Sequence, residues 1–202
     1  MAKKGNKKKK EIKDKKLQKV RECEVTLLEY QRDDEFTEIE IHFNQSLEPS
    51  QRPRSSRFSG FYDPLAYYKD VLIERVEEIL PEDFVPCKGE IEIHIEWLRV
   101  PAKSGTTLKQ LLYSFLDILV PLTKPDNDNI EKTVYDTLNG KLWKDDSQIY
   151  YNSTKKLFSP IEATFVKMRM RNEPLEVTGV ATKDEKEQLQ RILEQYGGWE
   201  KC

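Results

Sequence analysis

The sequence predicts an α+β fold, a mixed β-sheet flanked by helices. Three observations predict it. Residues 38–43 (Glu-Ile-Glu-Ile-His-Phe) and 90–97 (Glu-Ile-Glu-Ile-His-Ile-Glu-Trp) alternate polar and apolar strictly, the period of a half-buried strand. Three later segments carry apolar residues at spacings of three and four, the period of an amphipathic helix. Two further strand-like segments then follow the helices. The order reads strand, helix, strand, helix, helix, strand, strand.

Each element has its own signal. The two alternating segments share Glu-Ile-Glu-Ile-His, but their flanks differ and no repeat is implied. Their histidines, His42 and His94, fall on the polar phase and read as surface or packing residues rather than catalytic ones. Between the strands, Pro49 to Arg57 is rich in proline and serine and predicts a loop. Asp63-Pro64 suits an N-cap and a first helical position. Leu65, Tyr68, Leu72, Val76 and Ile79 then define a helix ending near Pro81. Leu108, Leu111, Leu112, Phe115, Leu116 and Leu119 define a second helix, stopped by Pro121. Its stripe is expected to pack into a core or a dimer seam. Residues 129–138 form a third, with Ile130, Val134 and Leu138 on its buried line and Asn139-Gly140 ending it. Residues 148–154 and 161–170 read as strands. Thr182 and Glu185 form a capping box ahead of Leu189, Ile192 and Leu193, so 182–196 predicts a peripheral helix.

The charge is unevenly placed. Residues 1–20 hold ten lysines against Glu11 and Asp14, a net of +8, so the rest carries −10 of the overall −2. A block of like charge with few apolar residues cannot bury enough surface to fold alone. The chain therefore divides into a disordered lysine-rich arm (1–22), a central domain (23–172) and a C-terminal extension (173–202). The arm suits contact with phosphates or simple solubilisation. Cys23, Cys87 and Cys202 are odd in number and far apart, which excludes a disulfide framework and a Cys-x-x-Cys zinc site and points to a reducing cytoplasm. Two histidines are too few for a multi-histidine metal site. No apolar run approaches the roughly 18 residues of a membrane span, and the lysine run is not followed by the apolar stretch of a secretory signal.

The chemistry concentrates in Lys124-Pro125-Asp126-Asn127-Asp128-Asn129, Lys132, Asp136 and Asp145-Asp146. Pro125 favours an extended Lys124 and a strand-like approach. Asp126 and Asp128 stand two apart just before a helix, where a turn lets both carboxylates converge. Lys132 follows Asp128 by four residues, one turn along the same face. The chain reverses after Asn139-Gly140 and brings Asp145-Asp146 back. Carboxylates gathered together repel unless a cation sits among them. Hard oxygens without histidine or cysteine select magnesium, or manganese in its place. Such a site suits phosphoryl chemistry. The same residues are equally compatible with a well-capped helix, turn and strand.

The block from Lys124 to Asn129, with Lys132, Tyr135 to Gly140 and Trp143 to Ile149, resembles the RusA-type Holliday-junction resolvase family. Gln51-Arg52-Pro53-Arg54 and Tyr62-Asp63-Pro64 resemble that family's arginine loop and the helix start after it. The resemblance covers about residues 36–171, with spacing kept within the carboxylate block. It implies a homodimeric, magnesium-dependent endonuclease that nicks four-way DNA junctions symmetrically in recombination and repair. By position it implies metal binding by Asp126, Asp128 and Asp146, a catalytic Lys132 and a DNA contact at Lys156. Asp136 matches a helix aspartate whose role is structural. Thr137 stands where alanine is usual.

Arg52, Arg54 and Arg57, three arginines within six residues, suit phosphate oxygens. Lys124 is a further expected DNA contact. The family's symmetric double nick fits a twofold dimer, with the stripe of 108–119 as one candidate seam. Two other readings stay open: a nuclease of the same fold acting on flaps or forks, and a junction-binding accessory protein without catalysis.

Overall fold

Alternation builds the core. In the computed structural model, which describes residues 18, 20–56 and 60–195, the apolar phase of three strands turns one way. Ile39, Ile41 and Phe43 come from β2 (Phe36–Phe43), Ile91, Ile93, Ile95 and Trp97 from β5 (Ile91–Arg99), and Val166, Met168 and Met170 from β7 (Ala163–Arg171). Each such side chain contributes roughly 1.5–3 kcal/mol by leaving water. Two helices complete this face: α1 (Ala66–Ile79) through Tyr68, Leu72 and Val76, and α3 (Asn127–Leu138) through Ile130, Val134 and Leu138.

The sheet has five strands in the order β1-β2-β7-β5-β6. β1 is Val25–Arg32 and β6 is Ile149–Phe158. All neighbours are antiparallel except β5 and β6, which run parallel. The fold is therefore the expected α+β class with a mixed sheet. A crossover joins the parallel pair, as it must, and it carries α2 (Leu108–Phe115), α3 and a 3-10 turn at Asp146–Gln148. The polar phase faces away from α1 and α3, with Arg169 paired to Glu38 at 3.1 Å and Lys167 to Glu29 at 3.4 Å. His42 stacks on Phe165, and His94 bonds Ser153 and Glu92. Both are surface packing residues.

Several expectations need correction. β1 has no clean alternation because its register shifts between Leu27 and Glu29, which leaves Leu28 outside; a bulge breaks the period-two signal. The predicted loop at 49–57 contains a short strand, β3 (Arg54–Ser56), which pairs with β4 (Gly60–Tyr62). Val20 is fully buried in the core. The lysines before residue 18 and Lys19, together with Arg57 and Cys202, lie outside the described residues.

The stripe of the second predicted helix is not in the core. α2 stops at Phe115, and among its residues only Ser114 is buried. Asp117 adopts a left-handed backbone with φ of 56°, a conformation that aspartate tolerates and a helix does not. Leu108, Leu112, Leu116, Ile118 and Leu122 are left exposed. The final helix, α4 (Lys183–Gln195), starts at the predicted capping box of Thr182 and Glu185 and buries no residue. No helix among the described residues is long and apolar enough to cross a membrane.

Candidate functional site

The approach to α3 is a bend over 123–125 rather than the expected strand, and the Lys124–Pro125 peptide is cis. Asp126 is the N-cap residue, yet its side chain accepts no capping hydrogen bond. Asp128 lies in the first turn and its Oδ1 accepts from the side-chain Nδ2 of Asn129 at 3.2 Å. Both aspartates are exposed, as is Lys132. Helical geometry aligns Asp128, Lys132 and Asp136 at successive four-residue steps. The N-terminal partial charge of the helix favours anionic groups at this end. Asp126 and Asp128 thus have carboxylate oxygens to spare, beside a lysine.

The adjoining flank of α3 is fastened to the edge strand β6. Asn127 donates from Nδ2 to the Thr154 carbonyl at 3.1 Å, and Asn152 donates to the Tyr135 hydroxyl at 2.9 Å and to Glu131 at 3.2 Å. Burial raises the Tyr135 hydroxyl above its ordinary pKa, the charges of Glu131 and Asp146 add to this, and the Asn152 bond opposes it.

The Asp145-Asp146 pair divides its work. Asp145 caps the 3-10 turn, accepting from the Ser147 amide at 2.9 Å, while Gln148 reaches back to the Asp145 amide. Hydrogen bonds from Ser147 hold the Asp145 carboxyl below its ordinary pKa. Asp146 is half-buried, and its Oδ1 accepts from the buried Trp143 indole at 3.2 Å. It sits close enough to Tyr135 for its charge to act there, on the segment that follows the C-terminal end of α3. Among the described residues, no three carboxylate, histidine or cysteine side chains gather as a metal-binding group. Magnesium does not require a three-carboxylate cage: one or two carboxylates, waters and substrate phosphates commonly complete its octahedron. The hard, exposed carboxylate oxygens of Asp126 and Asp128 fit that habit.

A partly buried ion triad stands behind this face. Lys69 of α1 donates to Asp63 at 2.6 Å and to Asp136 at 2.5 Å. Burial alone would raise the Asp63 carboxyl, but bonds from Lys69 and the Leu65 amide, with the charges of Lys69 and Lys132, hold it below its ordinary pKa. Lys132 therefore lies within electrostatic reach of Asp63. Asp63 does not serve as the N-cap of α1, which begins two residues beyond the expected start. Asp136 is engaged by Lys69 in the ion pair that links α1 to α3.

The arginine loop is anchored to the same end of α3. The Ser50 amide donates to the Asn129 carbonyl at 2.8 Å, two residues before Arg52. Arg52 and Arg54 are exposed, and Arg54 donates to Gln51 at 3.1 Å. Lys124 is exposed. Lys156 is half-buried and donates to the carbonyls of Thr123 and Pro125. Sequence reasoning missed Lys69, Arg99 and Asn127 as supports of this region. Their partners are far apart in the chain, so no local spacing marks them.

Comparison with known proteins adds two findings. The family described as Endodeoxyribonuclease RusA matches residues 46–169. A Bacillus subtilis (strain 168) protein described as "Uncharacterized protein YqaN" is 31% identical over 114 residues, which cover 54% of this chain and 79% of that protein.

Proposed function

The chain belongs to the RusA endodeoxyribonuclease family, and from that premise we propose that it is a divalent-metal-dependent endonuclease that resolves four-way DNA junctions by symmetric nicking. One observation carries this reading: the carboxylates of Asp126 and Asp128 stand exposed at the head of α3, Asp126 without a cap bond and Asp128 with one oxygen engaged only by Asn129, with Lys132 one turn behind.

In this reading Asp126 and Asp128 hold a magnesium ion, which manganese can replace, and Asp146 is the third acidic group of the site. The bound ion supplies Lewis acidity to the scissile phosphodiester and lowers the pKa of water. Lys132 places its ammonium where negative charge builds on the phosphoryl oxygens. Arg52, Arg54 and Lys124 hold the DNA backbone, since guanidinium and ammonium groups match phosphate oxygens and carry no sequence information by themselves. The proposed partners are branched DNA and a second copy of the chain, whose twofold axis would relate two identical sites. The exposed leucines of α2 are the proposed seam.

A cleavage assay on a synthetic four-way junction, with and without magnesium, tests the proposal. Paired symmetric nicks that vanish in the Asp126→Asn variant are expected. Equal rates on junction, fork and linear duplex would move the reading to a broader branched-DNA nuclease. Tight junction binding without any metal-dependent cleavage would overturn the enzymatic reading.

A further inference from the structure

Three consecutive backbone carbonyls precede Asp126, and each accepts from a cationic side chain. Lys156 donates from Nζ to the Pro125 oxygen at 2.8 Å and to the Thr123 oxygen at 3.2 Å. Arg99 donates from Nη1 to the Lys124 oxygen between them at 3.3 Å. The two cations stand on neighbouring parallel strands, where Trp97 is the register partner of Lys156 and Arg99 that of Phe158. Arg99 is further steadied over the Trp97 ring, 5.8 Å from its centroid. On the other side of Asp126, Asn127 is tied to Thr154, two residues before Lys156 on the same strand. Asp126 is therefore bracketed: the residue before it and the residue after it are both fastened to β6, and its own carboxylate is left without a cap bond.

Charge-assisted bonds to carbonyls are stronger than neutral ones. An ammonium that has given two of its three protons to backbone oxygens is a poor phosphate contact and a good anchor. We propose that Lys156 is a positioning residue for Asp126, which acts by holding the 123–125 approach against β6, and that it does not contact DNA phosphate. The assignment rests on the reading of Asp126 as a metal-binding group. It gives Lys156 a role different from the one that the family resemblance implies.

The test uses the full chain and the variants Lys156→Met and Lys156→Arg. Amide exchange over 122–128 in metal-free protein reads the loop directly. The salt dependence of junction binding in metal-free buffer reads phosphate contact, since loss of one such lysine lowers the slope by about one. The magnesium concentration for half-maximal cleavage reads the carboxylate. For Lys156→Met, exchange faster by about tenfold, an unchanged salt slope and a half-saturating magnesium concentration raised by about tenfold are expected. Lys156→Arg, which keeps donors for both oxygens, returns the exchange rate and the magnesium requirement toward wild type and leaves the salt slope unchanged. Exchange at the wild-type rate, a slope reduced by about one, or an unchanged magnesium requirement would each overturn the proposal. If Lys156→Met disturbs folding, Lys156→Gln serves the same comparison, because it also removes the charge. Asp126→Asn separates the two levels of the argument. Wild-type cleavage by that variant would remove the site reading, whereas the exchange result bears on the anchor alone.

Discussion

The Nζ of Lys69 reaches Oδ2 of Asp136 at 2.5 Å, joining α1 to α3 from a position almost closed to solvent. The same ammonium holds Asp63 at 2.6 Å. Removing it strands two partly buried carboxylates. Breaking a fully buried pair costs roughly 3–5 kcal/mol; because both carboxylates keep some exposure, Lys69→Met should cost about 2–3 kcal/mol. Urea unfolding measures this. The pH dependence has a definite sign. The Asp63 pKa is lowered in the folded state, so its contribution is complete above the ordinary aspartate value and is lost as pH falls through the lower folded value. The Lys69 pKa is raised: burial opposes the charge but is outweighed by bonds to Asp136 and Asp63. Its contribution is complete below the ordinary lysine value and is lost as pH rises through the folded one. The difference between wild type and Lys69→Met should be flat from about pH 5 to 10 and shrink outside that range.

Asp126→Asn removes a charge from the head of α3 without removing a cap, because the aspartate makes no cap bond. Cleavage should fall by about three orders of magnitude or more. Junction affinity, measured by gel shift without metal, should change by less than about threefold. A loss of affinity as large as the loss of rate would mean that this aspartate organises binding instead.

Lys132 is exposed on the same stripe. Lys132→Ala should lower kcat by about 10²–10³-fold and leave KM nearly unchanged, the signature of an interaction made mainly in the transition state. Single-turnover cleavage under saturating enzyme checks it.

The adjacent aspartates should separate cleanly. Asp145→Ala loses the cap of the 3-10 turn, so its melting temperature should fall while cleavage stays within about threefold of wild type. Asp146→Asn keeps an acceptor for the Trp143 indole and should do the reverse. Thermal unfolding and junction cleavage on both proteins suffice.

Leu112 and Leu116 are exposed and one turn apart across the end of α2. A monomer rarely leaves so large an apolar patch open. Leu112→Glu with Leu116→Glu should convert a dimer to a monomer in light scattering and abolish paired nicking. A wild-type chain that is monomeric at micromolar concentration would remove this seam.

The parts of the fold carried by local periodicity were legible in the sequence. The Ile-x-Ile phases of β2 and β5, the stripe of α3 and the Thr182–Glu185 capping box appear where their spacing puts them. The failures have physical causes. The bulge in β1 destroys its alternation, and the β3–β4 hairpin is too short to have any. The leucines of α2 have ideal spacing, but spacing does not say what covers them. At the candidate site, Asp126, Asp128 and Lys132 could be read because they are close in the chain. Lys69 with Asp136, and Lys156 with Pro125, could not, because their pairing depends on how α1 and β6 pack against α3.

The strand order has a consequence for how this protein is assembled during synthesis. β7 is last of the sheet strands to be synthesised but lies in the middle of the sheet, between β2 and β5. Until it inserts, the amino-terminal hairpin and the β5–β6 pair have no common sheet. Every acidic residue proposed to bind metal lies in the crossover between β5 and β6, and the backbone on either side of Asp126 is tethered to those two strands. A chain still emerging from the ribosome therefore holds every residue of the candidate site before the strand that unites the two halves of the sheet behind it has been made.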